Sequence, residues 1–444
     1  MIRFFRQLYV TNRLFMALGA ISLIFVASFF IQVLFAVAQA SLILLAANMI
    51  VDAILLFNSS TNLSAKRNVQ KILSLGDENV VSIEMENRSS LSLRVQLIDE
   101  LPEQFQRRDF SFNFLLTGRE KKKITYSIRP VTRGVYHFGG INILFATFIG
   151  LLQRRSIIPS EITVAVYPSV LQMKQYELKA LSRISTQEGI KRLRRIGHSY
   201  EFEEIKEYVR GDDHRSINWK ASGRRQSLMV NQYEDERSQQ IYSVIDHSRA
   251  MRMPFNGLSL LDYAVNSSLV ISNIALLKSD KAGLLTFADK IQTFLKAERH
   301  RTQLHRILEA LYAQREGTSE ANFELLYQAA RYYMKGRSLL FLYTNFESQY
   351  ALERVLPVLR RINRLHLLVV IFFQNTEIES FSRQKVTSLP DIYDQTIATK
   401  FLAEKSQLLT ELKRYGIQSI YTRPEDLSIN TVNKYLEFKS RGMI

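Results

Sequence analysis

An aspartate and a serine stand two positions apart where an apolar segment ends, and their oxygens could hold a metal ion. Residues 241–245 predict a buried strand, and residues 246–251 (DHSRAM) follow it directly. In the loop that leaves a parallel strand, side chains at alternate positions can aim two oxygens at one hard divalent cation. The alternative is that Asp246 and Ser248 only hold the loop through hydrogen bonds to backbone amides.

A second cluster of ionisable side chains lies upstream, in a polar stretch that also contains the only tryptophan, Trp219. Asp212 and Asp213 follow Gly211, and we predict that they cap a helical turn beginning at His214. Trp219 is expected to be the buried anchor of this turn. The whole stretch spans residues 196–236.

The charged residues of this stretch allow three interpretations. Its basic side chains are expected to pair with its glutamates and to clamp the stretch against the domain that follows. A recognition surface for a partner is the second interpretation. A catalytic Mg²⁺ on Asp212 and Asp213 is the third, but adjacent turn residues seldom converge on one ion, and no nearby His or Ser supplies a nucleophile and base. The basic residues are Arg215, Lys220 and Arg224, and the glutamates are Glu203, Glu204 and Glu207.

Composition limits the class of protein. A chain of 444 residues is long enough for two or three domains. Hydrophobic residues make up 46% and charged residues 23%, which excludes general disorder. The net charge of +17 suits nucleic acid, an anionic membrane surface or the inner face of a membrane. Because there is no cysteine, disulfides, thiolate nucleophiles and cysteine-ligated metals are excluded.

Two apolar runs near the beginning of the sequence predict a pair of transmembrane helices, at residues 14–35 and 40–57, joined by a tight turn. Residues 36–38 resemble a signal-peptide cleavage site, but the apolar region is too long and a second span follows. Asp52 in the second span is expected to face the partner helix or to reach toward the headgroups. By the positive-inside rule both flanks are cytoplasmic. The flanking basic residues are Arg3, Arg6, Arg13, Lys66, Arg67 and Lys71.

The next hundred residues have alternating polarity interrupted by turn signals, which predicts a small antiparallel β-sandwich. Asp99 and His137 stand alone in it and are interpreted as strand or turn residues rather than ligands. The predicted strands are 71–75, 80–87, 91–99, 121–130 and 134–148.

The remainder of the chain alternates apolar strands with longer helical patterns, after a helical stretch at 170–185. Such alternation predicts a mainly parallel, doubly wound sheet with helices on both faces and ligands at the carboxyl ends of the strands. The predicted strands are 241–245, 282–287, 290–295, 338–343, 365–373 and 417–421, and the predicted helices are 260–277, 300–312, 321–333, 351–362, 391–415 and 424–439. The expected domains are 1–60, 61–170, 171–238 and 239–444.

The segment after the first of these strands resembles the metal-ion-dependent adhesion site of von Willebrand factor A domains, whose pattern is Asp-x-Ser-x-Ser with a distant Thr and Asp. On that resemblance Thr318 takes the place of the Thr and Asn345 that of the Asp, while Ala250 replaces the second Ser. Since this degenerate site keeps a single formal negative charge, any Mg²⁺ or Mn²⁺ is expected to bind weakly.

The segments 200–208, 211–213 and 215–222 closely resemble the signature of the DUF58 family, membrane-anchored proteins with a von Willebrand factor A-like domain that are typically linked to MoxR-type AAA+ ATPases. The resemblance covers essentially the whole chain, including residues 133–139 (RGVYHFG) of the β-domain. It has two departures: Asn218 stands where Asp is frequent, and a glycine follows Ser222 where a second Ala is usual. The signature residues form the candidate partner surface: Glu201, Phe202, Glu204, Tyr208, Gly211, Asp212, Asp213, Arg215, Trp219, Lys220 and Ser222.

The expected function is that of a non-enzymatic adaptor in the bacterial cytoplasmic membrane, with the bulk of the chain in the cytoplasm and neither nucleic acid nor a small-molecule substrate as ligand. The partner ATPase, and a role in the assembly or maturation of other proteins, are implied by the family resemblance alone. One alternative is a metal-dependent hydrolase that uses the carboxylates of residues 201–213. Another is a membrane-proximal nucleic-acid binder, which the basic residues 191–195 (KRLRR) would favour.

Overall fold

The computed structural model describes two compact units, Met1–Tyr167 and Pro168–Ile444. The first contains the apolar hairpin and the β-rich domain, and the second contains the signature stretch and the α/β domain. The described residues are 7–58, 61–107, 110–175, 177, 201–210, 212, 214–234, 238–300, 302–346, 348–383 and 389–444. The basic run 191–195 and most of the predicted helix at 170–185 lie outside them.

The apolar hairpin of the first unit consists of helices α1 (Asn12–Ala27) and α2 (Val33–Phe57). The predicted position of the turn is wrong, because the chain reverses at residues 28–32 and residues 36–38 lie inside α2. Ser28 ends α1, and its hydroxyl donates a hydrogen bond to the carbonyl of Phe25 at 2.6 Å. A serine hydroxyl competes in this way with the helical backbone pattern. No glycine or proline marks the turn in the sequence.

Two helices of the described residues are long and apolar enough to cross a membrane. One is α2, whose 25 residues extend over about 37 Å at the helical rise. The other, residues 260–277, is mostly buried in the second unit and is a core helix there. Helix α1 is also apolar but has only 16 residues.

The β-rich domain is built from three sheets, with strand orders β1-β10-β9-β5-β6, β2-β4-β7 and β3-β11-β8. All pairs are antiparallel except β3 with β11. The predicted segment 134–148 is two strands, because Gly139 and Gly140 interrupt it. The strands are β1 (Leu8–Val10), β2 (Leu63–Asn68), β3 (Ile72–Ser74), β4 (Asn79–Asn87), β5 (Leu93–Asp99), β6 (Ser111–Leu116), β7 (Lys121–Ile128), β8 (Gly134–Phe138), β9 (Ile141–Ala146), β10 (Leu152–Ile158) and β11 (Ile162–Tyr167).

A buried ion pair lies between two of these sheets. Arg67 of β2 donates from Nε to Asp99 Oδ1 of β5 at 3.1 Å, and the hydroxyl of Tyr126 on β7 donates to Asp99 Oδ2. Neither charged side chain is exposed. Asp99 is therefore a structural residue, as predicted, and the sheets that contain β2 and β5 face each other. His137 is likewise a strand residue, whose ring contacts Thr163 Oγ1 on the neighbouring strand at 3.0 Å.

A second buried carboxylate joins helix α2 to the β-rich domain. Asp52 is fully buried and accepts hydrogen bonds from the backbone N–H groups of Leu151 and Leu152, both at 2.9 Å, and from the hydroxyl of Thr147. The expectation that Asp52 faces α1 or the headgroups is wrong. The turn 147–152 offers three donors that satisfy the carboxylate, so burial there avoids the cost of an unpaired charge. We call residues 147–152 the joint loop.

The second unit contains a doubly wound sheet of order β18-β17-β14-β19-β20-β21, parallel except for β18. Helices α4, α5 and α10 pack on one face, and α6, α7 and α9 on the other. The elements are β14 (Gln240–Asp246), β15 (Pro254–Phe255), β16 (Leu258–Ser259), α4 (Leu260–Leu277), β17 (Lys281–Phe287), β18 (Ile291–Glu298), α5 (Gln303–Tyr312), α6 (Phe323–Tyr333), β19 (Leu339–Tyr343), α7 (Gln349–Leu365), β20 (Leu367–Phe373), α8 (Thr376–Ser382), α9 (Leu389–Arg414), β21 (Gln418–Thr422) and α10 (Leu427–Ser440). Every predicted strand and helix of this sheet is present.

The strand order reverses between β14 and β19. The chain leaves β14 through α4 on one face of the sheet and leaves β19 through α7 on the other. Such a reversal opens a crevice at the carboxyl ends of the two strands, which is where ligands bind in sheets of this kind. Asp246 is the last residue of β14 and lies at this point.

The signature stretch forms a separate hairpin, whose strands β12 (Glu201–Glu207) and β13 (Met229–Glu234) are antiparallel. A 3₁₀ turn at His214–Ser216 and the short helix α3 (Trp219–Arg225) connect them. The turn therefore begins at His214, as predicted. We call residues 201–234 the signature hairpin.

Replacing Asp52 by Ala is expected to loosen the joint loop. The substitution leaves the N–H groups of Leu151 and Leu152 without their acceptor, at a cost of roughly 1–3 kcal/mol for each buried group. Deuterium exchange of peptides covering 147–152 in the full chain should become faster. Asn48→Ala is the control, because Asn48 lies on the same helix and, among the described residues, its amide donates to the carbonyl of Leu44 and not to the joint loop. Unchanged exchange in Asp52→Ala would contradict the role of this carboxylate.

Candidate functional site

The carboxylate at the reversal of strand order is tied to both neighbouring strands. Asp246 is buried, with Oδ1 accepting from the backbone N–H of Ser248 at 2.8 Å and Oδ2 accepting from the hydroxyl of Thr344 at 2.7 Å. Burial raises the pKa of Asp246, and the hydrogen bonds from Ser248 and Thr344 oppose that rise. The side chain holds the loop after β14 to the end of β19, which is the structural alternative that the sequence left open.

Of the other predicted ligands, Ser248 meets Asp246 through its side chain, whereas Thr318 and Asn345 lie around the loop with other contacts. Ser248 is buried, whereas Thr318 is exposed. The backbone nevertheless brings the Thr318 segment close, because the N–H of Gly317 donates to the carbonyl of His247 at 2.9 Å. The side-chain amide of Asn345 donates to the carbonyl of Ala250 at 3.3 Å. Among the described residues no three His, Asp or Glu side chains form a group that could hold a metal ion.

Thr344 contacts Asp246, although the sequence patterns did not identify it as a candidate site residue. It directly follows the five buried residues of β19 and precedes Asn345. Its position at the carboxyl end of the strand next to β14 is the signal that could have identified it. Only the pairing of β14 with β19 reveals that its hydroxyl reaches Asp246.

His247 is buried beside Asp246, and neither ring nitrogen has a hydrogen-bond partner in the described part of the chain. Burial lowers the pKa of His247, and the nearby carboxylates of Asp246 and Asp289 oppose this. The ring lies against the 316–319 segment, because a side chain built on Gly317 would approach its Nδ1 to 3.1 Å. Burying ring nitrogens without hydrogen-bond partners lowers the stability of the fold, so good packing alone does not account for a histidine at position 247.

In the signature hairpin, Asp212 acts locally. It accepts hydrogen bonds from the backbone N–H of Val209 at 3.0 Å and from Lys206 Nζ at 3.1 Å. These two bonds, the backbone bond first, lower the pKa of Asp212. Asp212 therefore closes the turn behind it and does not cap the turn at His214. Gly211 and Asp213 lie outside the described residues.

Two polar residues fasten α3 to the hairpin. Asn218 caps α3 by accepting from the N–H of Ala221 at 3.0 Å, and its amide nitrogen donates to Asn231 Oδ1 at 2.8 Å. The hydroxyl of Ser222 donates to the carbonyl of Asn218 and accepts from the N–H of Met229, both at 2.8 Å. Asn218 and Ser222 are therefore structural. Asn218 stands where Asp is frequent in the family signature. Its side-chain amide keeps an oxygen that caps the helix and adds an N–H donor.

The prediction that Trp219 is a buried anchor is wrong. Its side chain is 72% exposed, because it occupies the first position of α3 while Asn218 and Ser222 make the contacts with β13. Lys220, Arg224 and Arg225 of the same helix are also exposed. Further exposed apolar side chains of the hairpin are Ile205, Val209 and Leu228.

The clamp predicted from charge is only partly described. Lys206 and Asp212 form an ion pair at 3.1 Å within the described part of the hairpin. Among the described side chains, Lys220 and Arg224 form no ion pair with Glu207. The side chains of Glu201, Phe202, Glu203 and Glu204 lie outside the description. Tyr208 and Arg215 are described, and the backbone N–H of Tyr208 donates to the carbonyl of Leu228 at 2.8 Å.

Comparison with known proteins connects this region to a family without an assigned activity. The family model described as "Protein of unknown function DUF58" matches residues 204–380, which include the signature hairpin and the crevice at β14 and β19. The "Uncharacterized protein YeaD" of Bacillus subtilis is 25% identical over 189 residues, 41% of this chain and 47% of that protein. The chain thus matches about half the length of this relative.

Solved structures resemble the chain only locally. The CARDB domain of the PF1109 protein from Pyrococcus furiosus is 13% identical with a TM-score of 0.18, and the match covers 24% of this chain and 90% of that domain. The PapD-like domain 7 of human CEP192 is also 13% identical with a TM-score of 0.18, over 25% of this chain and 88% of that domain. Likenesses with such scores carry no argument about function.

The metal prediction can be tested by calorimetric titration of the protein with Mg²⁺ and Mn²⁺. We expect no saturable binding stronger than about 1 mM, because one carboxylate with both oxygens already hydrogen-bonded is a poor site for a hard cation. Asp246→Ala is the matched variant. Tighter binding that disappears in this variant would show that the bonds from Ser248 and Thr344 give way to an ion.

The burial of His247 predicts a pH dependence of stability. Because its pKa is lowered in the folded state, the unfolded chain binds the proton more readily, and stability is lost as the pH falls below about 6.5. His366, whose pKa burial also lowers, adds to this loss. We expect His247→Leu to lose less stability between pH 7 and pH 5 than the natural protein, as measured by urea unfolding with pulse proteolysis. His305→Leu, at an exposed position on α5, should keep the natural pH dependence. An unaltered dependence in His247→Leu would contradict the assignment.

Proposed function

We propose that this protein is a non-enzymatic, membrane-anchored adaptor. Its second unit, which we interpret as a von Willebrand factor A-like domain, would bind a MoxR-type AAA+ ATPase and assist the assembly or maturation of other proteins. The signature hairpin is the proposed contact surface. The match of residues 204–380 to a family without an assigned activity leaves this role open, and the partner comes from the family resemblance.

The exposure of Trp219 is the observation that carries the proposal. An indole that is 72% exposed leaves a large apolar surface in water, and burial against a partner would remove it. Tryptophan and arginine are enriched among the residues that dominate binding energies at protein interfaces. Trp219 has Lys220, Arg224 and Arg225 on the same short helix, so an apolar pocket with an acidic rim is the complementary surface.

The hairpin holds this surface in a defined position before any partner binds. Asn218 and Ser222 attach both ends of the first turn of α3 to β13 by hydrogen bonds of 2.8 Å. Asp212 and Lys206 close the turn that precedes it. A preorganised contact loses less conformational entropy on binding, which favours affinity. These internal hydrogen bonds thus hold α3 so that the indole and the basic side chains face solvent, where a partner can contact them.

The groups at the reversal of strand order favour an adaptor over an enzyme. Both carboxylate oxygens of Asp246 bond to neighbouring groups of the fold, and the ring nitrogens of His247 have no hydrogen-bond partner among the described residues. A hydrolase that uses a nucleophile and base needs such a contact. Asp212, a candidate ligand for a catalytic metal, is bonded to Val209 and Lys206.

The membrane anchor is the helical hairpin. The length and apolar character of α2 support a transmembrane position, and the short α1 would cross with it or insert partly. Arg13 before the apolar run and Lys66 and Lys71 after it are exposed, which supports a cytoplasmic location of both flanks. Arg67 does not contribute to this basic flank, because it is buried against Asp99.

Replacing Trp219 by Ala should weaken the complex with a purified MoxR-type ATPase by at least about tenfold, since interface tryptophans often contribute 2 kcal/mol or more. The affinity can be measured by biolayer interferometry with the full chain in detergent. Tyr332→Ala is the matched control, because Tyr332 is 78% exposed on α6, outside the hairpin. Equal affinities of the two variants would place the contact elsewhere, and no binding by the natural protein would overturn the proposed partner.

A further inference from the structure

The joint loop presents a cationic site that the adaptor role does not use. The loop is fixed on two sides: Asp52 of α2 accepts from the N–H groups of Leu151 and Leu152, and Thr11 donates from its hydroxyl to the carbonyl of Gly150 at 2.7 Å. The backbone N–H of Thr11 also donates to the carbonyl of Leu151 at 3.2 Å. These bonds hold the loop at the level of the first turn of α1 and the last turns of α2.

Two guanidinium groups converge above Gly150. Its backbone is left-handed, with φ of 67°, and the absence of a side chain lets neighbouring groups approach it closely. A Cβ built on Gly150 would lie 3.3 Å from Nη1 of Arg13, 3.4 Å from Nη2 of Arg94 and 3.6 Å from the carbonyl oxygen of Thr147. The two cationic groups therefore approach the same point, from α1 and from β5. A side chain at this position would crowd both of them.

No acidic side chain among the described residues forms an ion pair with either arginine. Arg94 donates to the carbonyl of Phe148 at 2.7 Å, while Arg13 is exposed and makes no ion pair within the described chain. Asp52 lies in contact with the same loop, where its oxygens accept from three neutral donors and pair with neither arginine. Two like charges in one place repel each other, and an anion between them would reverse that repulsion. Guanidinium forks bind phosphate and carboxylate groups through paired, charge-assisted hydrogen bonds.

The position of the pair identifies the source of the phosphate. Arg13 lies in the first turn of the apolar helix α1, and Phe148 of the joint loop is 71% exposed. An exposed aromatic ring beside arginines at the end of an apolar helix is suited to the headgroup region of a membrane. We infer that Arg13 and Arg94 bind the phosphate of an anionic phospholipid over Gly150, with Phe148 inserted among the neighbouring lipids. This inference rests on the proposed membrane anchoring.

Native mass spectrometry of the purified full chain, released from detergent that contains phosphatidylglycerol, tests this inference. We expect retained phosphatidylglycerol in the natural protein and at least about tenfold less in Arg13→Gln, because the substitution removes a charge-assisted hydrogen bond to the phosphate. Arg13 is the informative position, since its removal breaks no described hydrogen bond. Arg13→Lys, which keeps the charge but loses the fork, should retain an intermediate amount.

Arg107→Gln is the matched control. Arg107 is exposed and follows β5, so it lies beyond the opposite end of the strand from Arg94. Lipid retention in this control should equal that of the natural protein. Equal retention in Arg13→Gln would overturn the inference. Displacement of the lipid by millimolar inorganic phosphate would show a soluble phosphate site and would overturn the lipid assignment.

Failure of the anchoring itself can be separated from failure of the lipid site. Alkaline carbonate extraction of membranes that contain the natural protein reports whether the hairpin inserts. A protein that is extracted contradicts both the anchoring and the lipid site. A protein that stays in the membrane but retains no phosphatidylglycerol contradicts only the site at Gly150, and the adaptor proposal is unaffected.

Discussion

A buried carboxylate is stable only when donors surround its oxygens, and this constraint determines how the parts of each unit are joined. Asp52 joins the apolar hairpin to the joint loop, and Asp99 joins two sheets through Arg67 and Tyr126. In the second unit Asp246 ties β14 to β19. Asp280 holds the last helix, because it accepts from Lys439 at 2.7 Å and from the hydroxyl of Tyr435. Each junction has a defined geometry because each oxygen has a defined partner.

The surfaces proposed for recognition have the opposite character, since each exposes a group, Trp219 or Arg13, that the described residues leave in contact with solvent. The indole of Trp219 faces solvent on a helix whose polar residues are used for attachment. Arg13 and Arg94 meet over Gly150, and neither forms an ion pair within the described residues. In both places the fold keeps groups exposed to solvent at a cost in free energy: an apolar ring in water, and two positive charges close together. A protein partner and a lipid headgroup are the ligands whose chemistry would offset those energies.

Local patterns in the sequence predict an element correctly where its formation depends only on a short segment. The run 260–277 predicts helix α4 with the same limits that the structure has, because its apolar side chains and its Ser259 cap are all local features. The alternation of strands and helices after residue 240 also predicts the doubly wound sheet. The turn between α1 and α2 was misplaced, because residues 28–32 contain no glycine or proline and are as apolar as the helices around them. β10 was missed since its two arginines interrupt the apolar alternation.

The sequence by itself determined the apolar hairpin, the β-rich and α/β classes of the two units, and the place of Asp246 at a strand end. These depend on residue types over windows of about ten positions. Only the tertiary structure decided which group each polar side chain meets: Thr344 for Asp246, the joint loop for Asp52, and solvent for Trp219. The physical reason is that hydrogen bonds between residues about a hundred positions apart depend on strand order and helix placement, which no local pattern encodes.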